Sequence, residues 1–302
     1  MLLFAALLPA VVLLAYVYHK DTVEKEPIGL VLRLFALGAV AGPLAAIVET
    51  LAFDLFEAIV PYGVLLLVLE FFVGVAAVEE GFKYLFLSTI RKNPEFNYVF
   101  DGIVYAVAVS LGFAALENVL YVFDGGVEVA IQRAIFSVPG HCADGVVMGC
   151  FFGMARQREV AGNASGARTY YWLAFLLPVI EHGFYDAALS SESDLMVLLA
   201  LGVEIAFIIF AMVLVNRMSK RDQVIYGPTA QPPMQQPGQM PYQYPQQPMQ
   251  YQQPQQPMQY PQPQQYQQPQ QWQGQPYQQP YQQPQPPQQW QNGSKNTPPV
   301  GH

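Results

Sequence analysis

The first 217 residues consist of long apolar stretches separated by polar breaks of only a few residues. An apolar stretch of about 20 residues is long enough to cross a bilayer as a helix. Seven such stretches lie near residues 1–18, 28–49, 62–90, 101–123, 129–155, 170–190 and 195–216. The segment 50–61 is apolar but short, which favours an interfacial or re-entrant piece. The pattern predicts an all-α fold, a polytopic membrane helix bundle of about seven spans.

The composition changes abruptly after the last apolar stretch. Of the 26 prolines, 19 follow residue 226, in imperfect YQQP, QQPMQ and PYQQP units. Such a segment cannot bury enough apolar surface to fold. We therefore predict a transmembrane domain over residues 1–220 and a disordered cytoplasmic tail over residues 221–302. A tail of this composition either binds proline-recognising domains or is a passive extension, and the sequence leaves both open.

Basic residues are confined to alternate connections between the apolar stretches. The connections after the first, third and fifth stretches and the segment after the seventh carry Lys20, Lys25, Arg91, Lys92, Arg156, Arg158, Arg168, Arg217, Lys220 and Arg221, whereas the second, fourth and sixth connections carry no lysine or arginine. Basic loops stay in the cytoplasm. The pattern predicts a multi-pass integral protein of the cell membrane, with the N-terminus outside and the tail inside.

The first apolar stretch resembles a signal peptide in length only. Its basic residue, Lys20, follows the apolar run, whereas a cleavable signal peptide has its basic residues before it. We therefore expect this stretch to be retained as the first span.

Four consecutive stretches contain ionisable or amide side chains, which are costly inside a bilayer and indicate a functional site by default. They are Glu79, Glu80 and Lys83; Glu117, Asn118 and Tyr121; Arg133, His141 and Asp144; and Glu181, His182 and Asp186. At about 1.5 Å per residue, the glutamate pair and both histidines fall near the middle of the bilayer. We therefore expect one central polar site, with Arg133 as a local counter-charge.

Helical spacing brings several of these side chains onto a common face. Lys83 follows Glu79 by four residues and Glu80 by three, so its ammonium group can reach both carboxylates. Asp186 follows His182 by four residues, so its carboxylate can orient the imidazole ring. These spacings predict two pre-arranged polar groups on separate helices.

The fifth stretch has a similar arrangement around His141. Asp144 follows the histidine by three residues and can orient its ring. Pro139 and Gly140 precede it and predict a break or kink in the helix. A broken helix at membrane depth is tolerated where it lines a cavity.

Hydrolysis of a peptide bond needs an activated water, a proton shuttle and a group that stabilises the oxyanion. Glu79 or Glu80 can activate water, the two histidines can transfer protons, and Asn118 or a histidine can hold the oxyanion. Two histidines and one carboxylate, with one open position, also match a catalytic zinc site. The candidate ligands are Glu117, His141 and His182.

Other mechanisms and other classes of protein are favoured less. The chain lacks the HExxH, GxSxG and GxGD patterns of zinc, serine and aspartyl proteases. A proton-coupled transporter can use the same carboxylates as a relay, but its inverted repeats are not visible. A seven-span receptor or scaffold with an interaction tail is a further alternative, although a retinal-type receptor needs a lysine in the last span.

The order of the motifs resembles the PrsW family of intramembrane proteases. The motifs are EExxK at Glu79, Glu80 and Lys83; FxxxEN with a following tyrosine at Phe113, Glu117, Asn118 and Tyr121; Arg…HxxD at Arg133, His141 and Asp144; and HxxxD at His182 and Asp186. The likeness covers residues 30–220 and excludes the tail. CAAX prenyl proteases and bacteriocin-processing relatives have EExxxR as their first motif, so the lysine favours the PrsW branch.

The resemblance implies cleavage of membrane-anchored regulators such as anti-sigma factors. It implies Glu79, Glu80 and His182 as the first catalytic candidates, followed by Glu117 and His141. It leaves a zinc mechanism and a metal-free glutamate mechanism both open. The expected partners are the lipid bilayer and a membrane-anchored protein substrate, with no nucleic acid.

Overall fold

A computed structural model describes residues 2–225, and this part of the chain is helical, with only an isolated bridge between Tyr98 and Val224 in place of a sheet. The helices are α1 (Leu2–Lys20), α2 (Ile28–Ile59), α3 (Val64–Val68), a π-helical segment (Leu69–Ala76), α4 (Ala77–Ser88), α5 (Val99–Ile135), α6 (Ser137–Val160), α7 (Ala164–Leu189) and α8 (Asp194–Lys220). The predicted tail lies outside the described residues from residue 226 onward.

Four segments of the described chain are long and apolar enough to cross a membrane, by length and composition: Leu2–Lys20, Ile28–Ile59, Val99–Val160 and Asp194–Lys220. Helices also cover the predicted third and sixth stretches. The third is divided by the π-helical segment, and α7 carries Arg168, Glu181 and Asp186, which lower its hydropathy. The prediction of an all-helical, multi-pass membrane protein is confirmed at this level.

The prediction that residues 50–61 form a piece separate from the preceding span is wrong. Helix α2 continues without interruption to Ile59. No proline or glycine lies between Leu44 and Ile59 to break the helix. The helix ends where Pro61 disfavours helical backbone in the residue before it, and Val60 is extended.

The break between the fourth and fifth predicted stretches is present. Within the predicted connection at residues 124–128, Gly126 departs from helical geometry, with φ at 73°, and α5 consists of two helical parts that meet there at a kink. Glycine tolerates this left-handed conformation. A second break lies at Phe136, three residues before the predicted position at Pro139 and Gly140. Pro139 lies in the first turn of α6, where a missing N–H costs little.

Helix α5 is the centre of the bundle. Its residues 99–115 are all buried, and it packs against α1, α2 and α6. Glycines allow the helix backbones to approach closely. A Cβ added at Gly112 would collide with the carbonyl oxygen of Phe35 on α2, and one added at Gly149 on α6 would collide with that of Gly102.

The π-helical segment lies directly before the glutamate pair. A π-helix has more residues per turn than an α-helix, is rare, and often occurs at functional sites. Here the segment Leu69–Ala76 ends three residues before Glu79 and packs against α7, where Gly183 fits against the ring of Phe72. This change of helical register sets the direction in which α4 presents its carboxylates.

The residues that follow α8 are packed against the start of α5. Val99 donates its main-chain N–H to the oxygen of Gln223 at 2.9 Å, and Ile225 donates to that of Asn97 at 2.8 Å. The Asp222 carboxylate accepts the N–H of Phe100 at 2.9 Å. The described, packed part of the chain therefore extends five residues beyond the predicted boundary at residue 220.

Candidate active site

A cavity of about 1100 Å³ lies among the helices, and polar side chains from most of them line it. From the predicted site the lining includes Glu79, Glu117, Tyr121, Arg133, His141, Asp144, Glu181, His182 and Asp186. The structure therefore brings residues from the four predicted stretches to one place. Apolar residues such as Phe71, Val75 and Phe113 form other parts of the wall.

Lys83 is the hub of the buried polar network. Its ammonium nitrogen lies 2.6 Å from Glu80 Oε1 and 3.4 Å from Glu79 Oε2, as the spacing predicts. It also lies 3.0 Å from His141 Nδ1 on α6, and 4.3 Å from the centre of the Phe113 ring on α5. The side chain of Lys83 is fully buried, so this single cation joins three helices.

His182 has a carboxylate on each side of its ring. Its Nδ1 lies 3.0 Å from Glu80 Oε1, and its Nε2 lies 3.1 Å from Asp186 Oδ2. Glu79 Oε2 lies 3.9 Å from the same Nε2. The predicted contact between His182 and Asp186 is therefore present, and it fixes the ring in front of the glutamate pair.

The hydrogen-bond partners of His141 lie on other helices. Its Nε2 lies 3.0 Å from Glu117 Oε2 on α5, and Arg133 lies 2.8 Å from the same carboxylate oxygen. Asp144, which the spacing placed beside His141, is buried near the site, and its Oδ1 has no hydrogen-bond partner among residues 2–225. The ring of His141 is therefore oriented by Glu117 and Lys83 and not by Asp144.

Asn118 and Tyr121 surround Arg133. Asn118 is fully buried, donates its Nδ2 to the Ala6 carbonyl oxygen at 2.6 Å and accepts the Arg133 Nε at 3.1 Å. The Tyr121 ring lies under the guanidinium group, 4.3 Å away. Asn118 thus connects α1 with Arg133 through its two hydrogen bonds. Arg133 lines the cavity, whereas Asn118 does not.

The two adjacent glutamates have different surroundings. Glu79 lines the cavity and is 6% exposed. Glu80 is 0% exposed, and its Oε1 contacts both Lys83 and His182. The Glu79 carboxylate at the cavity wall can reach a water molecule, whereas Glu80 Oε1 is already engaged with Lys83 and His182.

Four of these residues fit a metal ion. One ligand atom from each of Glu79, Glu80, His141 and His182 can be chosen so that all lie within 4.8 Å of one another. Glu80 Oε2 is buried and has no hydrogen-bond partner in the described chain, which leaves it free for such a bond. Glu117, a candidate from the sequence, is outside this group and contacts His141 and Arg133 instead.

Two acidic residues without an assigned role also reach the cavity. Glu204 on α8 is buried, lines the cavity and interacts with the carboxyl group of Glu181 on α7. Glu49 on α2 lines the cavity as well. The signal for Glu204 was present in the sequence, since it is the one ionisable side chain between Leu195 and Asn216.

The arrangement has the groups that hydrolysis of an amide bond needs. A carboxylate at the cavity wall can accept a proton from water, and a histidine held by two carboxylates can transfer one. Arg133 offers positive charge within the same cavity. All of these groups come from rigid helices, so their geometry is set before a substrate binds.

Comparisons with known proteins agree with this chemistry. The sequence model described as PrsW family intramembrane metalloprotease matches residues 26–215. The chain is 36% identical over 199 residues to Protease PrsW of Oceanobacillus iheyensis, covering 66% of this chain and 87% of that protein. It is 41% identical over 188 residues to Protease PrsW of Geobacillus kaustophilus (61% and 78% covered), and 36% identical over 195 residues to that of Bacillus subtilis (63% and 83%). No solved structure matches the chain.

Proposed function

The chain belongs to the PrsW family of intramembrane metalloproteases and is a peptidase, and on that premise we propose that it cleaves membrane-anchored regulatory proteins, of which anti-sigma factors are the expected kind. The observation that supports this most is the placement of Glu79 and both histidines on the wall of one cavity, with Lys83 and Glu80 behind them. Family membership favours this reading over the transporter and receptor alternatives.

In the proposed mechanism Glu79 is the base that activates water. It is the member of the glutamate pair that lines the cavity. Lys83 positions Glu80 and His141, and Glu80 Oε1 positions His182, because the ion pair of Lys83 and Glu80 is buried behind Glu79 and contacts both histidines. A general base within reach of the attacking water contributes about 10²–10⁴-fold to the rate.

In the metal-free form of the mechanism, His182 transfers the proton to the leaving amine. Its Nε2 faces both Asp186 and Glu79, so a proton taken from water by Glu79 has a short route to the ring. His141 occupies the adjacent position, with its ring centre 5.3 Å from that of His182. Asp186 positions the ring of His182, as Glu117 positions that of His141.

The oxyanion is stabilised by Arg133 or His141. Both line the cavity, whereas the two polar atoms of the Asn118 amide are already engaged with Ala6 and Arg133. We assign Asn118 to the positioning of Arg133. Asp144 is a further supporting residue, because a buried, unpartnered carboxylate oxygen beside the site can accept a hydrogen bond from a bound water.

The metal is proposed to be zinc, since two imidazoles and a carboxylate with one open position are typical of catalytic zinc. Glu80, His141 and His182 are its proposed ligands, and Glu117 is the alternative carboxylate because its Oε2 contacts the His141 ring. At these residues a bound zinc ion would supply Lewis-acid chemistry, which polarises a carbonyl group and lowers the pKa of water.

The experiment is a comparison of new protein N-termini in membranes of cells that express the wild-type chain or the double variant Glu79→Gln/Glu80→Gln. Glu57→Gln is the matched control, because Glu57 is an exposed glutamate on α2. Peptides found with wild type and the control, absent with the double variant and mapping within or beside single membrane spans, would support the proposal and name the substrate. Identical N-termini from equally expressed proteins would refute it.

We propose seven spans, with the N-terminus outside and the C-terminus in the cytoplasm. The alternation of basic connections supports this topology. Single cysteines at Lys92 and at Glu192, in a chain with Cys142→Ala and Cys150→Ala, test it with a maleimide that does not cross membranes. Labelling of intact cells at 192 and not at 92 is expected. The reverse pattern, or labelling at both, would contradict the topology.

We also propose that the proline-rich tail binds proline-recognising domains of the SH3 or WW kind, from its composition. The test compares capture of such domains by the full chain and by a chain that ends at Ile225. Equal capture by the two would show that the tail does not bind them.

A further inference from the structure

A second group of buried carboxylates lies away from the cavity. Asp21 and Glu26 come from the connection between α1 and α2, and Asp101 from the first turn of α5. They are 1%, 2% and 1% exposed, and one oxygen from each can be chosen so that all three lie within 4.8 Å of one another. Asp101 and Glu117 are 16 residues apart on α5, about 24 Å along the helix, so this group is separate from the active site.

When all three groups are ionised, each carboxylate has a buried oxygen that lacks a hydrogen-bond partner in the described chain. The atoms are Asp21 Oδ2, Glu26 Oε2 and Asp101 Oδ1. The other oxygen of Asp101 accepts the main-chain N–H groups of Asn97 at 2.9 Å and Tyr98 at 2.7 Å, which fixes the direction of the unpartnered oxygen. A buried, unpartnered acceptor destabilises a fold unless something binds it.

The nearest lysine does not neutralise the group. Lys25 donates its ammonium hydrogens to the main-chain oxygens of Tyr18, His19 and Asp21. Among the described residues, no lysine or arginine forms an ion pair with the three carboxylates. The carboxyl groups of Glu26 and Asp101 are within hydrogen-bond reach of each other, so without a further cation the two would have to share a proton.

We propose that Asp21, Glu26 and Asp101 bind a divalent cation of the calcium class. Carboxylate oxygens are the preferred ligands of such hard cations, and three of them supply the charge that the cation needs. A cation here would join the connection after α1 to the start of α5. Through the bond between Asp222 and the Phe100 N–H it would also hold the segment that follows α8. The site is independent of the proposed peptidase mechanism.

The test uses the full chain in lipid nanodiscs at pH 7, with terbium as a luminescent probe for calcium sites and calcium and magnesium as competitors. Wild type is expected to show saturable emission that calcium displaces. Glu26→Gln is expected to weaken terbium binding at least about tenfold, since ligand charge sets the affinity of such sites. Calcium is also expected to raise the unfolding temperature of wild type and to leave that of Glu26→Gln unchanged.

Glu24→Gln is the matched control, because Glu24 lies two residues away and its Oε2 accepts the Asn97 side-chain N–H at 2.9 Å outside the group. The double variant Glu79→Gln/Glu80→Gln should keep the calcium-sensitive terbium emission, which would show that the cation does not bind at the active site. Asp21→Asn replaces Glu26→Gln if that variant fails to fold. The proposal would be overturned if wild type gave no calcium-sensitive terbium signal. It would also be overturned if wild type and Glu26→Gln bound terbium with equal affinity. A third result would also contradict the cation site: Glu26→Gln is more stable than wild type, and neither protein responds to calcium. That result would show that the carboxyl groups share a proton and bind no cation.

Discussion

The ammonium group of Lys83 lies 3.0 Å from His141 Nδ1, although 58 residues separate the two in the chain. Lysine can only donate this hydrogen bond, so Nδ1 is the acceptor, and in the neutral ring Nε2 carries the proton and donates to Glu117 Oε2. The tautomer follows from the hydrogen-bond partners. One contact between α4 and α6 therefore fixes the tautomer of the neutral His141 ring.

Replacing Lys83 with methionine should destabilise the protein strongly. The side chains of Lys83 and Glu80 are both 0% exposed, so the substitution leaves a buried carboxylate without its main partner. Breaking a buried ion pair in this way costs about 3–5 kcal/mol. Thermal unfolding in nanodiscs measures the effect.

A second substitution separates charge from packing in that experiment. Lys83→Met combined with Glu80→Gln removes both charges, and it should be more stable than Lys83→Met alone, because the two residues act as a coupled pair. Equal stability of the single and double variants would show that the ion pair contributes little and that Lys83 acts through its packing against Phe113.

Glu79→Gln should lower peptidase activity by about 10²–10⁴-fold, as expected for loss of a general base. Glutamine keeps the shape of the side chain at the cavity wall, so folding should be unaffected. The measurement is the cleavage rate of a single-span substrate in proteoliposomes, with Glu57→Gln as control. If Glu79→Gln kept more than a tenth of the activity while Glu80→Gln lost it, the roles proposed for the two glutamates would have to be exchanged.

The purified wild-type chain should contain stoichiometric zinc, and His182→Ala should lose most of it, because a zinc site with a missing imidazole ligand binds poorly. Elemental analysis of dialysed protein in nanodiscs gives the metal content directly. His19→Ala is the matched control, since His19 lies in the last turn of α1, away from the cavity. Wild-type protein that is active without bound metal would exclude zinc and leave the glutamate mechanism.

The helices could be predicted from the sequence wherever hydrophobicity and chain breakers agree. Each of the seven predicted stretches corresponds to helix in the structure. The break predicted near Gly125 and Gly126 is present as a kink between two helical parts of α5. Residues 50–61 contain no helix breaker before Pro61, so the break predicted before them is absent. The π-helical segment has no sequence pattern that distinguishes it from an α-helix.

The site could be predicted where its contacts are local. Contacts between Lys83 and the glutamates, and between His182 and Asp186, follow from spacing of three or four residues. The partners of His141 could not be found in this way, because Lys83 and Glu117 belong to other helices. Spacing indicated Asp144 instead. Only the packing of α4, α5 and α6 decides between local and distant partners.

Gly112→Ala should lower the free energy of unfolding by about 1–3 kcal/mol or more, in the range of overpacked cores. The added methyl group would collide with the Phe35 carbonyl, and since that is backbone the two helices would have to separate. Gly202→Ala on α8 is the control, because nothing lies within 4 Å of its added methyl group. Alanine there should be neutral or stabilise the helix by up to about 1 kcal/mol. Equal effects would show that α2 and α5 do not pack as closely as described.

Stability measured with a chelator present should fall as the pH rises from about 4 to about 6. Burial raises the pKa of Asp222 from its ordinary 3.8 to about 6, so within this window the folded protein binds a proton that the unfolded chain releases. The stabilisation is therefore complete below the window and lost above it. The shift corresponds to about 1–2 kcal/mol after allowance for partial exposure.

Asp222→Asn should reduce this slope, because asparagine still accepts the Phe100 N–H but does not titrate. Burial also raises the pKa of Asp21 to about 6, so a slope of the same sign should remain. Asp194→Asn, at an exposed position at the start of α8, is the control. An unchanged slope in Asp222→Asn would assign the effect to other groups.

The enclosure of α5 bears on how the protein is made. Residues 99–115 of α5 are mostly apolar and all buried inside the protein, so lipid hardly touches them once folding is complete. Insertion machinery meets each helix before its later neighbours exist, and it sorts segments by hydrophobicity. The apolar side chains of α5 therefore serve first to bring the helix into the bilayer during synthesis. Only afterwards do they become the interior around which α6, α7 and α8 assemble.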